Sequence, residues 1–396
     1  MKFALVSDAL PPGWSGTAIL IGRLLGDVDP AGYLLLRSDQ GRYAGEHIDA
    51  LPARTHQLPR EWRVRRAGRF GLRMPASLAN AGLGIASRSL QIRRNVKQER
   101  CDAILVFTGD FHDPPAAYLA SRSLRLPLYF YMGDYYAFRE VHDPARRLLS
   151  PRLERILVTG AAGVACGNET LRDALHERYG IEATVIHHPC DLSLYAPRAA
   201  DDDHPRRATG GSLRIVYTGT VYEAHLDAFE NLFAAVARSE ADRRPELHVY
   251  TGQSAADLAT KGLRGTFTRH VHRSGRALAE AQRSADILFL PLAFRSAYPE
   301  VIRTSAPMKF GEYLAAGSPI LAHAPASSFV AEYCRRHECG LVVDEPDPDA
   351  LSQAVNRLAT DDGLRRRLVA SARARAEQEF GLQTARARFA QWSGIG

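Results

Sequence analysis

The residues able to do chemistry crowd into one stretch, Phe294–Ile320, which reads FRSAYPEVIRTSAPMKFGEYLAAGSPI. Pro307 has the fixed φ suited to a first helical turn, and Ser305 before it is a residue type that caps helix N-termini. A helix opening there leaves backbone N–H groups around Ser305–Met308 to meet an anion. Lys309 falls in that first turn, where the helix dipole favours anions over a cation. Only four of the 51 basic residues are lysines: Lys2, Lys97, Lys261 and Lys309. A rare lysine at a position its own helix disfavours fits a site for a bound diphosphate. Glu312, three residues on, offers a carboxylate that accepts hydrogen bonds from vicinal ribose hydroxyls. Taken singly, each residue also fits a blander role, Lys309 reaching to solvent and Glu312 on an exposed helix face.

Such a loop needs a strand to deliver it, and Asp286–Leu290 (DILFL) is an apolar run of strand length just ahead. The same alternation of apolar strand-length runs with helical patterns recurs along the chain. Phe3–Ser7, Tyr33–Arg37, Asp102–Thr108 and Leu126–Met132 read as strands of a first half, with Ile156–Thr159, Gly163–Ala165 and Ala183–His187 as further strand segments. Leu213–Thr218, Glu246–Thr251, Thr268–His272, Pro319–His323 and Gly340–Val343 read as strands of a second half. Helices are expected at Pro115–Leu124, Asp227–Arg238, Arg276–Ser284, Pro307–Ala316, Pro348–Thr360 and Asp361–Glu379, with a basic helix from Leu382. Between the halves, PRAADDDHPRRATGG (197–211) is polar and without apolar periodicity, as a linker is. The pattern predicts an α/β protein of two Rossmann-like domains facing a central cleft. Their limits are 1–196, a linker 197–212, and 213–378, with 379–396 as a C-terminal helix that crosses back to the first domain.

Composition sets the class. The 396 residues are 45% apolar and 24% charged, which excludes a disordered chain, a collagen-like repeat and a disulfide scaffold. The five cysteines form no C-x-x-C pair and are odd in number, so they read as reduced thiols in a cytoplasmic protein and not as a zinc site. The apolar run after Lys2 is too short for a signal peptide, and the longest uncharged window, Tyr313–Ala331, holds too many polar and turn residues for a membrane span. The net charge of +7 is uneven. Twelve basic residues against two glutamates give Arg54–Arg100 a charge of +10, leaving the rest at −3. With Trp62, Phe70 and Leu72 interleaved, this stretch fits an anionic membrane surface, and the protein is expected to lie peripherally on its inner face. A solvated basic face is the alternative. No nucleic-acid-reading motif accompanies the charge, so nucleic acid is not an expected partner.

The Phe294–Ile320 segment resembles the donor-binding motif of the retaining glycosyltransferases of the GT-B fold, in particular glycosyltransferase family 4. Three other segments carry the resemblance in the same order: Val185–Tyr195 (VIHHPCDLSLY), Tyr217–Gly219 and Ser284–Leu292 (SADILFLPL). The resemblance implies that Ser305, Ala306, Pro307 and Lys309 flank the donor phosphates and that Glu312 holds the ribose. It also implies that Gly16 and Thr17, with Ser15, form a Gly-rich first loop near the donor, and that Gly219 belongs to the donor site. Asp134, in Tyr131–Tyr135, stands where the family places a His or His-Asp pair against the transferred sugar; here Gly133 replaces the histidine. Two further departures stand out. The first glutamate of the family's Glu-x7-Glu motif is Thr304, with Glu300 out of register. The Arg and Lys that usually follow the first strand of the second domain are absent from Thr220–His225, so Arg295, Arg303 or Lys309 must neutralise the diphosphate.

The reading that follows is a metal-independent, hexosyl-type glycosyltransferase without a cofactor. It moves a sugar from a nucleoside diphosphate sugar to a glycan or lipid-linked acceptor hydroxyl, with retention, in cell-surface polysaccharide or glycolipid biosynthesis. Asp134 and Lys309 are its catalytic candidates. A nucleotide-sugar epimerase on the same fold and a non-catalytic protein of the membrane surface are the alternatives.

Overall fold

The computed structural model describes residues 1–13, 15–38, 50–58, 60, 73–138, 143–195, 211–238 and 244–394. It divides into two compact units, Met1–His187 with Ala385–Gly396, and His188–Thr384. Trp62, Phe70, Leu72, Arg63, Arg65, Arg66 and Arg69, and all of the expected linker except Gly211 and Ser212, lie outside the described residues.

In the first unit β1 (Phe3–Ser7) leads through α1 (Gly16–Leu25) to β2 (Tyr33–Arg37) and β3 (Thr55–Gln57). A long α2 (Arg73–Gln98) precedes β4 (Ala103–Phe107), α3 (Asp113–Leu124) and β5 (Leu128–Met132). Then come α4 (Pro144–Gly160), β6 (Gly163–Cys166), α5 (Glu169–Tyr179) and β7 (Thr184–Val185). The strands form one parallel sheet in the order β3-β2-β1-β4-β5-β6-β7. β1 and β4 are buried along their whole length, as a parallel sheet covered on both faces requires.

The second unit repeats the plan. β8 (Leu213–Thr218), α6 (Leu226–Ala237), β9 (Pro245–Thr251), α7 (Ala255–Thr260), β10 (Thr268–Val271) and α8 (Gly275–Arg283) make one half. The other half holds β11 (Ile287–Pro291), α9 (Pro299–Thr304), α10 (Lys309–Ala315), β12 (Ile320–His323), α11 (Phe329–Arg336), β13 (Leu341–Val343), α12 (Pro348–Thr360) and α13 (Asp362–Arg375). This sheet is also parallel, in the order β10-β9-β8-β11-β12-β13. Along β11, Leu288 and Leu290 enter one hydrophobic cluster and Ile287 and Phe289 another, the alternation of a strand packed on both sides. α13 passes into a π-helical turn, Ala376–Phe380, where one continuous helix was expected. The closing helix α14 (Leu382–Ser393) belongs from Ala385 on to the first unit: the Trp392 and Tyr129 rings form a T-shaped pair with centroids 5.5 Å apart, and Arg386 Nε donates to the Arg23 carbonyl at 2.7 Å.

In both sheets the strand order reverses beside the first strand, between β1 and β4 and between β8 and β11. In open α/β sheets, ligands bind outside the carboxyl ends of the strands at such a switch point. Both candidate regions lie there.

Two expectations fail in the first unit. Ile156–Thr159 is not a strand but the end of α4, a helix capped by the Asp143 carboxylate on the N–H groups of Ala145 and Arg146. Leu157 and Val158 are buried while Ile156 is exposed; a short apolar run does not separate a helix end from a strand. The basic Arg54–Arg100 stretch is also not uniformly a surface. Within α2, Ile85, Ile92 and Val96 are buried at helical spacing, and Arg88 is buried with them. Arg54 is paired with Glu99 at 2.7 Å. The exposed side of α2 carries Arg93, Arg94 and Lys97 together with Leu83 and Leu90.

Candidate active site

At the switch point of the second unit, β8 ends in Thr218 and the chain turns at Gly219, whose φ of +119° suits glycine alone. A Cβ there would stand 3.1 Å from Lys309 Cε and 3.3 Å from its Nζ. The Lys309 amine thus lies close along the bare backbone at the carboxyl end of β8. Lys309 is half-buried. Its Nζ donates to the Tyr217 hydroxyl at 3.0 Å and lies 4.2 Å from the centroid of that ring. Burial pushes its pKa down to about 7, against the charge of Glu312, which raises it. Tyr217 in turn donates to the Thr220 carbonyl at 2.7 Å and lies 3.2 Å from His225 Nδ1. Burial, with the Lys309 charge added, holds His225 well below its ordinary pKa and so neutral.

Glu312, one turn along α10, is 7% exposed. Its Oε2 accepts from Gln282 Nε2 at 3.2 Å, and the same amide nitrogen is 3.1 Å from Thr218 Oγ1. Tyr195 donates to Gln282 Oε1 at 2.6 Å, and the Tyr313 hydroxyl accepts from the Thr218 N–H at 2.9 Å. The second unit thus brings Gly219, Lys309 and Glu312 to one place, with an amine and a carboxylate at the end of the same strand. That pairing suits an anion with neighbouring hydroxyls.

The loop before α10 departs from expectation. Ser305 does not cap a following helix. It is the C-cap of α9, its N–H bonded to the Ile302 carbonyl at 3.3 Å, and α10 begins only at Lys309 with Met308 as its N-cap. α9 ends at Thr304 and α10 starts at Lys309, so Ser305–Pro307 link two helices and do not start one. Arg295 and Arg303 are not drawn to Lys309. Arg303 pairs with Glu300 at 3.1 Å, and the Arg295 guanidinium is 85% exposed, 4.0 Å from Asp227. Thr304 is fully buried and its hydroxyl donates to the Glu300 carbonyl at 2.9 Å.

In the first unit Gly16 and Thr17 form the first turn of α1, capped by Ser15 on the Ala18 N–H. Asp134 follows β5, half-buried, next to Gly133, whose N–H donates to Thr108 Oγ1 at 2.9 Å. Between them the structure assembles a group the sequence did not single out. Arg88 donates to Asp113 Oδ1 at 2.9 Å, both side chains buried, and Ser38 bonds the other oxygen of Asp113. Asp110 Oδ1 accepts the N–H groups of His112 and Asp113 at 2.6 and 3.1 Å. Burial and the neighbouring Asp110 push the Asp113 carboxyl up to about 8. For Asp110, the bonds and charge of His112 outweigh burial and hold its carboxyl far down. The signal was present in Thr108–Pro115, where three ionisable residues follow directly on a buried strand.

Matches to known families follow the two units. Residues 40–194 match the model described as Glycosyltransferase Family 4, and residues 212–361 the model described as Glycosyl transferases group 1. No curated protein matches the chain closely in sequence. Among solved structures, HepE of Anabaena in complex with UDP and glucose is 16% identical, with a TM-score of 0.66 over 100% of this chain and 99% of its own. Sucrose-phosphate synthase from Thermosynechococcus elongatus is 17% identical, with a TM-score of 0.69 over 99% of this chain and 98% of its own. WaaG, a glycosyltransferase involved in lipopolysaccharide biosynthesis, is 15% identical, with a TM-score of 0.67 over 99% and 100%. With the family-4 model on its first half, the group-1 model on its second and the same doubly wound plan throughout, the chain belongs to the family-4-like glycosyltransferases of the GT-B fold.

Proposed function

We propose that this chain transfers a hexosyl group from a nucleoside diphosphate sugar to an acceptor hydroxyl, with retention and without a metal. The observation that carries the reading is the Lys309 ammonium lying along Gly219 at the carboxyl end of β8. The leaving group is a nucleoside diphosphate, so stabilising its growing negative charge is the main catalytic task. A single amine drawn in beside a bare backbone meets that need in a chain that lacks the usual basic pair after β8. Glu312, held by Gln282, receives the ribose hydroxyls. Ser305, Ala306, Pro307, Arg295 and Arg303 border the donor, and Gly16 and Thr17 open α1 of the first unit with backbone N–H groups of the kind that meet a phosphate. Asp134 faces the transferred sugar.

UDP-linked sugars are the first donors to try, because HepE is known in complex with UDP-glucose and with UDP. The acceptor is a glycan or a lipid-linked glycan. An anionic membrane is a partner of the basic stretch, supported by exposed Arg93, Arg94 and Lys97 beside exposed Leu83 and Leu90. No helix among the described residues is long and apolar enough to cross a membrane. The test of the donor site is calorimetry with UDP, GDP and ADP. One of them is expected to bind, and Lys309→Ala to weaken it by about 1.5–3 kcal/mol, the range for a hydrogen bond to a charged group. Unchanged affinity in the variant removes Lys309 from the site.

A further inference from the structure

Tyr217 sits one residue before the end of β8, fully buried, at a position where an ordinary core strand needs only an apolar side chain. Its hydroxyl is nonetheless fully engaged. It gives its proton to the Thr220 carbonyl at 2.7 Å and accepts from Lys309 Nζ at 3.0 Å. His225 Nδ1 lies 3.2 Å away. We propose that Tyr217 is a positioning residue of the donor site: its hydroxyl, anchored on the Thr220 carbonyl, holds the Lys309 ammonium beside Gly219 to meet the donor diphosphate. This rests on the reading of Lys309 as the cation for that diphosphate.

The geometry argues for a holder that leaves the charge unspent. A lysine side chain has four flexible carbons and ordinarily carries its ammonium to solvent. Here it is fixed by a neutral phenol and the face of the same ring. Among the described residues, no carboxylate stands within ion-pair distance of Lys309. A carboxylate partner would fix the amine just as well but would compete with an incoming phosphate. The titratable groups facing the pair are Glu312 and Tyr313 on the lysine's own helix and Tyr222 and His225 in the turn after β8. Burial holds Tyr217 and Tyr313 well above, and His225 well below, their ordinary ranges. Of this group, Lys309 is the one that burial brings to the middle of the working range.

The phenol oxygen favours the protonated amine, so removing it shifts Lys309 further toward its neutral form. The experiment is calorimetry from pH 6 to pH 9 with UDP, GDP and ADP on the wild type, Tyr217→Phe, Lys309→Ala and the double variant. In the wild type, affinity is expected to fall as pH rises through about 7. Lys309→Ala supplies the baseline for the nucleotide's own titration. Tyr217→Phe is expected to bind about tenfold more weakly at pH 8, with its falling limb moved to lower pH. In the Lys309→Ala background the same change should alter affinity less than about twofold, because Tyr217 acts through the lysine. Should the Phe variant fail to fold, Tyr217→Met, also without the hydroxyl, is read in the same way. A wild-type pH profile in Tyr217→Phe, or an equal loss in both backgrounds, overturns the proposal while leaving the Lys309 reading intact. Wild-type affinity in Lys309→Ala overturns the underlying reading itself.

Discussion

Lys309 sets a cost against a use. Its ordinary pKa of 10.5 applies in the unfolded chain, and burial brings it to about 7 in the folded one. Between those values the folded protein binds fewer protons, so stability rises as pH climbs through that window, and below pH 7 the full cost of the buried charge is carried. Lys309→Met should therefore raise the unfolding free energy of the ligand-free protein at pH 6, on the order of 1–3 kcal/mol, while weakening diphosphate binding. It should also flatten the dependence between pH 7 and 10; urea unfolding across that range reads both effects, and a destabilised variant with the wild-type slope counts against the buried charge. Glu312→Gln keeps the shape and the acceptor for Gln282. It should raise the donor KM or lower kcat/KM about tenfold, the worth of one charged hydrogen bond, with Tm nearly unchanged. A folding defect with normal kinetics would make Glu312 a structural helix residue. Lys309 and Glu312 were legible in the sequence because a lysine is rare here and the two lie one turn apart. Tyr217 and Gln282 were not. One reads as a strand aromatic and the other as a helix glutamine, and only folding across 92 and 30 residues brings them to Lys309 and Glu312.

At the scale of elements, the buried parallel strands were readable nearly to the residue, because an apolar run bounded by polar residues has few other solutions. β1, β2, β8 and α12 begin and end where the pattern put them. Helix ends were less so. The start of α10 was misplaced by two residues because Ser305-x-Pro307 satisfies the rules for an N-terminus while also closing α9. The α2 helix was hidden by its charge, since its five basic residues mask the few apolar positions that seat it. Its burial of Arg88 against Asp113 gives a sharp contrast. Arg88→Ala removes a buried hydrogen bond to Asp113 and should cost about 1.5–3 kcal/mol in urea unfolding. Arg94→Ala, on the exposed side of the same helix, should stay within about 0.5 kcal/mol. Equal effects would mean that the pair does not hold α2 to α3. Gly219→Ala combines an unfavourable φ with a Cβ close to the lysine stem. It should lower both stability, by about 1–3 kcal/mol, and diphosphate affinity.

For the whole molecule, the uneven charge is the feature with the longest reach. If the basic stretch rests on anionic lipid, each arginine near the surface contributes roughly 1 kcal/mol, and the attraction fades within about a Debye length. Replacing Arg63, Arg65, Arg66 and Arg69 together with Gln should release the protein from anionic vesicles while soluble donor turnover continues. Wild-type binding should fall steeply from low to physiological salt. A quadruple variant that co-sediments like the wild type removes the lipid from the account, and loss of RNA affinity in a protein that never bound vesicles would put nucleic acid in its place. The central claim is narrower, that the second unit turns over a nucleoside diphosphate sugar with Lys309 on the diphosphate. Its most direct test is release of nucleoside diphosphate from UDP-, GDP- and ADP-linked sugars by the purified chain, beside Lys309→Ala. The expected result is release from one of these donors that falls at least about tenfold in the variant. No release from any of them, or undiminished release by a folded Lys309→Ala protein, would contradict it.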